Sequence, residues 1–175
     1  MDQSHGELLV ATGVTGPAAK MGHRLTIEMG SWRARLRFDA DRPAEVDVTV
    51  DVDSLQVLRG EGGLKGLSGP EKVLARSNAL GTLDAKRHPH IRFHADDIDA
   101  IDDGYRLAGT LEIHGTAREQ TVDVHVADLG DTWRMSCEVP VRQSVFGVKP
   151  YSMMMGAMKV VDDVTVTFGA DRVKD

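Results

Sequence analysis

The sequence predicts an all-β protein, an antiparallel barrel of about eight or nine strands with one short helical insertion. Three observations lead there. Apolar residues alternate with polar ones at a period of two along most of the chain, the mark of strands buried on one face only. Turn residues separate these runs at short intervals, around residues 39–43, 102–104, 115–117 and 130–131, which favours a meander of neighbouring strands. The alternation is lost only once at length, between residues 60 and 87. A closed barrel suits this pattern because closure removes exposed edges; a sandwich is the other architecture compatible with it.

The first strand is the run GELLVATG, beginning at Gly6. In HRLTIEM, Leu25, Ile27 and Met29 share a face, and in WRARLRF, Trp32, Ala34, Leu36 and Phe38 oppose three arginines. EVDVTVDVD sets four valines, from Val46 to Val52, against Asp47, Thr49, Asp51 and Asp53. A turn over residues 39–45 would place Arg37 across from Asp47 and Arg33 across from Asp51, a charge pairing that helps set register. In the non-alternating segment, Ser68 and Glu71 form a capping box with Pro70 in the first turn, and Val73, Leu74, Leu80 and Leu83 supply an apolar stripe. A helix is therefore expected within residues 68–86. Strands resume with HIRFHA, YRLAGTLEIH, TVDVHV, WRMSCEV and DVTVTF. Their inward sets include Ile91 and Phe93, Leu111 and Ile113, and Trp133, Met135 and Cys137.

Composition narrows the function classes. The chain has 175 residues, a size for one domain, 1–175. Its net charge is −6 and its basic residues are scattered among acidic ones, so no basic stripe exists to track nucleic acid. No apolar run approaches the roughly 20 residues of a membrane-spanning helix, and no export signal opens the chain, which points to a cytoplasmic protein. A single cysteine, Cys137, excludes an internal disulfide framework.

The run HPHIRFH carries three histidines, yet strand geometry speaks against a metal site there. His90 and His94 would lie about 13 Å apart on one face, and His88 and His90 about 6.6 Å apart with no third ligand indicated by spacing. His114 and His125 also fall on polar faces. The expectation is no metal and no cofactor. The segment GVKPYSMMMGAMK is the other oddity. Methionine adapts to irregular apolar shapes, so this loop suits a barrel mouth, packing on the barrel end, or a contact with a second subunit; thioethers also suit Cu(I).

HPHIRF followed by GYRLAGTLEIHGTAREQTVDV resembles the YceI-like family. The resemblance rests on Pro89, Phe93, Gly109, Leu111, Gly115, Thr116, Val122 and Val124, and on Arg142 followed by Phe146-Gly147. It implies a lipocalin-like antiparallel barrel that binds long isoprenoid or other amphiphilic lipids in its interior, with no catalytic set. Two features depart from the family pattern: many relatives are exported, and Val145 stands where an acidic residue often precedes Phe-Gly.

The expected function is therefore non-enzymatic binding, sequestration or transport of a hydrophobic ligand. Leu25, Ile27, Leu36, Phe38, Ile91, Phe93, Leu111, Ile113 and Met135 are the expected lining, and His23, Lys149, Tyr151 and Met154 the expected mouth. An apolar inner face equally suits a barrel packed solid with its own side chains, serving as a structural or homodimerisation module. An enzyme using His23, Tyr151 or Lys149 as acid or base on an apolar substrate is the remaining alternative, although no catalytic motif or paired inward carboxylates mark one.

Overall fold

The alternating runs pair into one continuous ladder. The computed structural model describes residues 1–174. Its elements are β1 (Gly6–Ala11), β2 (Val14–Thr15), β3 (His23–Met29), β4 (Trp32–Asp39), β5 (Arg42–Asp51), β6 (Leu55–Gly62), α1 (Gly69–Thr82), β7 (His90–Ile101), β8 (Gly104–Ile113), β9 (Thr116–Asp128), β10 (Thr132–Arg142), β11 (Ser152–Met153), β12 (Met158–Val160) and β13 (Asp163–Val173). Ten strands form one antiparallel sheet in the order β4-β5-β7-β8-β9-β10-β13-β1-β3-β6, and β11, β12 and β2 form a small second sheet.

The ladder closes on itself through two bent strands. β3 runs into β4 across Gly30 and Ser31, and β5 runs into β6 across a 3-10 turn, Val52–Ser54. Counted once each, the bent strands leave eight staves, and β1 pairs with β13 to complete the ring. The 3-10 turn also explains why β6 escapes a period-two reading. It shifts the phase, so Val52 and Leu55, three residues apart, are both buried.

Register follows the apolar faces. Trp32 pairs with Val50, Ala34 with Val48 and Leu36 with Val46. The charge pairing expected from a broad turn is corrected here: Arg37 sits across from Glu45, Arg35 from Asp47 and Arg33 from Thr49. The turn is tighter than expected, with Asp39 already paired to Arg42, and a bulge at Arg37/Phe38 takes up the difference. Across β7 and β8 the chain bulges again between Ala95 and Asp97, opposite Gly109. A Cβ on Gly109 would lie 2.3 Å from the His94 carbonyl oxygen, so the close approach at this bulge requires glycine.

Up-and-down order divides the connections between two ends. At one end lie tight turns, joining β4 to β5, β7 to β8 and β9 to β10. At the other end lie the long connections: residues 12–22 with β2 and a 3-10 turn, residues 63–89 with α1, and residues 143–162 with β11 and β12. We refer to these as the turn end and the capped end. α1 starts as its sequence dictates. The Ser68 side chain accepts from the Glu71 N–H while the Glu71 carboxylate accepts from the Ser68 N–H at 2.7 Å. Hydrogen bonding from Ser68 also holds the Glu71 carboxyl below its ordinary range. The helix leans on the barrel through Ala75, Ala79, Leu80 and Leu83. No helix among the described residues is long and apolar enough to cross a membrane.

Candidate functional site

The inward faces of the eight staves enclose a cavity of about 1470 Å³ running the length of the barrel. The interior is thus hollow, not filled by its own side chains. Cavities that hold small ligands commonly measure roughly 300–1,000 Å³. The wall is built from the apolar alternation itself: valines and leucines from seven staves, Ile91 and Phe93 from β7, Trp32 set edge-on to Phe168 at 5.2 Å between ring centroids, and Cys137 on β10. Burial among these neighbours pushes the Cys137 thiol up from its ordinary value, so it stays protonated and unreactive at neutral pH.

All nine residues expected to line the interior, Leu25, Ile27, Leu36, Phe38, Ile91, Phe93, Leu111, Ile113 and Met135, face this cavity. The four expected at the mouth divide. His23 and Tyr151 reach the cavity at the capped end, where His23 Nε2 lies 2.8 Å from the Lys65 carbonyl oxygen. Lys149 and Met154 do not line it. Lys149 follows Val148, which is buried, and alternation turns the lysine outward. Met154 and Met155 both adopt left-handed backbone, at φ 52° and 57°, in a tight turn that aims their side chains at solvent. Met153 and Met158 are the methionines of that loop that reach the cavity.

Other lining groups were not singled out by sequence. Gln120 sits on the inner face of β9 ahead of Val122 and Val124, a position legible from alternation once a polar residue is allowed inside. Asn78 and Thr82 enter from α1, and Gln143 and Phe146 from the loop after β10. Phe146 is 2% exposed and closes the wall beneath the cap. At the turn end, Phe38, Asp102, Asp103 and Trp133 frame the opening, with the Lys174 ammonium 4.1 Å from the Trp133 ring centre.

The histidines of HPHIRFH are mostly outside matters. His90 lies 3.2 Å from the Asp51 carboxylate and His94 Nδ1 lies 2.8 Å from Asp47, both on the outer face. The hydrogen bond to Asp47 raises the His94 imidazole above its ordinary value. Three residues that no spacing rule ties together, Asp84, His88 and His114, converge beside the capped end.

With this geometry in place, comparisons with known proteins add lineage. A sequence model of the YceI-like domain matches residues 2–171. BcnA from Burkholderia cenocepacia superposes with a TM-score of 0.72 at 20% identity, covering 98% of this chain and 99% of that one. The YCEI protein of Campylobacter jejuni superposes with a TM-score of 0.65 at 16% identity, covering 85% of this chain and 84% of that one. At such identities the likeness is one of fold. A search among curated proteins gives no match.

Proposed function

The chain belongs to the YceI-like family, and we propose that it binds a long-chain hydrophobic ligand, an isoprenoid-like or other amphiphilic lipid, inside the barrel without altering it chemically. The observation that carries this reading is the cavity: about 1470 Å³, continuous through the barrel and apolar along its middle. Affinity would come from burial of apolar surface, about 25 cal/mol per Å² before the costs of ordering ligand and protein. The polar lining groups gather toward the two ends, where a head group can be met by His23 and Tyr151 or by Trp133 and Lys174. The middle of the wall offers Gln120 and a protonated Cys137, which position and exclude better than they catalyse.

The test is organic extraction and mass spectrometry of protein purified without detergent, followed by titration of the delipidated protein with a fluorescent long-chain amphiphile. A co-purifying lipid and saturable one-to-one binding are expected. Absence of both would overturn the reading.

A further inference from the structure

The chain holds seven histidines. Five have a polar partner for the ring: His5 with Asp2, His23 with the Lys65 carbonyl, His90 with Asp51, His94 with Asp47 and His125 with Asp103. Among the described residues, the rings of His88 and His114 have only each other, with centroids 4.7 Å apart and planes tilted by 54°. Two half-buried imidazoles facing one another without a hydrogen-bond partner are an unspent pair of donor atoms.

A carboxylate completes the group. Asp84 sits in the turn that follows α1, and the His88 N–H donates to its carbonyl oxygen at 2.9 Å, so one helical turn places both side chains together. His114 comes from elsewhere, the two-residue turn His114-Gly115 between β8 and β9, where both residues have positive φ. One ligand atom from each of Asp84, His88 and His114 lies within 4.8 Å of the others, and all three residues are half-buried. Among the described residues, the Asp84 carboxylate meanwhile reaches only the exposed Arg87, at 3.4 Å.

We propose that Asp84, His88 and His114 bind one divalent cation of the zinc class, with the remaining coordination position left to water. Imidazole and carboxylate are the ligand types that borderline first-row cations prefer. Zinc bonds of about 2.0–2.1 Å set tetrahedral ligand atoms about 3.3 Å apart, so atoms already within 4.8 Å need to close by about 1.5 Å or less, a side-chain rotation. The ion would tie the link after α1 to the β8–β9 hairpin. Leu83 precedes Asp84 and Ile113 precedes His114, and both line the cavity. The metal therefore clamps two parts of the cavity wall together at the capped end. The trio Glu45, Asp47 and His94 on the outer wall is a natural control, since its histidine is already hydrogen-bonded.

The chelator-treated chain is titrated with Zn²⁺ by calorimetry at about pH 7.5, because protons compete with the metal for these ligands. One ion per chain is expected. Binding should weaken by about tenfold or more in His88→Phe, which keeps the ring contact, and in His114→Asn, which keeps the left-handed turn. His94→Ala should bind as the unsubstituted protein does. Co²⁺ supplies a readout that needs no variant: the unsubstituted protein should show the intense visible bands of a low-coordinate N/O site. No binding at submillimolar zinc, only the faint spectrum of octahedral cobalt, or loss in His94→Ala with retention in His88→Phe would each overturn the proposal.

Discussion

The two ends of the barrel solve different problems. At the capped end, long connections fold back over the opening. α1 and the small sheet of β2, β11 and β12 are held by the capping box, by Phe146 and by backbone bonds such as the Val160 N–H to the Tyr151 carbonyl oxygen at 2.9 Å. At the turn end, hairpins leave the rim to single side chains, and Phe38, Leu129, Trp133 and Val173 are all exposed there. One end is covered by folded connections, with Phe146 and Val148 fully buried beneath them, and the other is an open frame. The difference teaches that a barrel of repeating strands is specialised by its connections, while its wall serves both ends alike.

The sharpest test of that contrast is a pair of truncations. Phe146→Ala removes a fully buried ring beneath the cap and should cost about 3–5 kcal/mol in urea unfolding. Trp133→Ala at the rim, 38% exposed, should cost far less while weakening amphiphile binding. Equal losses from the two would erase the distinction. Next in size, Leu111→Trp fills the capped half of the cavity from β8, where Leu111 packs with Phe146, and should lower amphiphile affinity by about tenfold or more with circular dichroism unchanged. A binding site confined to the turn end would leave that affinity intact.

A smaller effect separates the cap from the wall. Ser68→Ala breaks the capping box and should cost about 1 kcal/mol. In hydrogen exchange the loss should appear across α1 and spare β9 and β10. Acid should act in the same place. The Glu71 carboxyl lies below its ordinary value in the folded chain, so its contribution is present above that value and lost as pH falls through the folded one. The wall responds in the opposite sense. His94 is raised by Asp47, so that contribution is complete below the ordinary histidine value and disappears as pH rises through the folded one. Exchange at α1 that ignores acid, or at β7 that ignores neutralisation of His94, would remove the corresponding claim.

Much of the wall was legible in the sequence because alternation is a local property. Ile91 and Phe93 declare their face without reference to any neighbour, and all nine expected lining residues take it. The capping box at Ser68 is likewise local, and the helix starts there. What depends on turn geometry was not legible. Arg37 meets Glu45 instead of Asp47 because the β4–β5 turn is tighter than its composition indicates. Met154 leaves the mouth because it and Met155 adopt left-handed backbone that rotates both side chains outward, and Met153 and Met158 reach the cavity in its place. The grouping of Asp84, His88 and His114 is the furthest from view, since it joins a helical turn to a hairpin 26 or more residues later along the chain.

The eight-stave count has a consequence for how such a chain can change over generations. Inside a strand, one added residue exchanges the inner and outer faces beyond it, so cavity-lining residues would be expelled into solvent. The bulges at Arg37/Phe38 and Ala95/Asp97 show how such a slip is absorbed, each at a cost in local regularity. Insertions and deletions are therefore tolerated mainly in residues 12–22, 63–89 and 143–162, all at one end. Relatives that share the wall are free to diverge in the length of what covers it, and with that in what they admit.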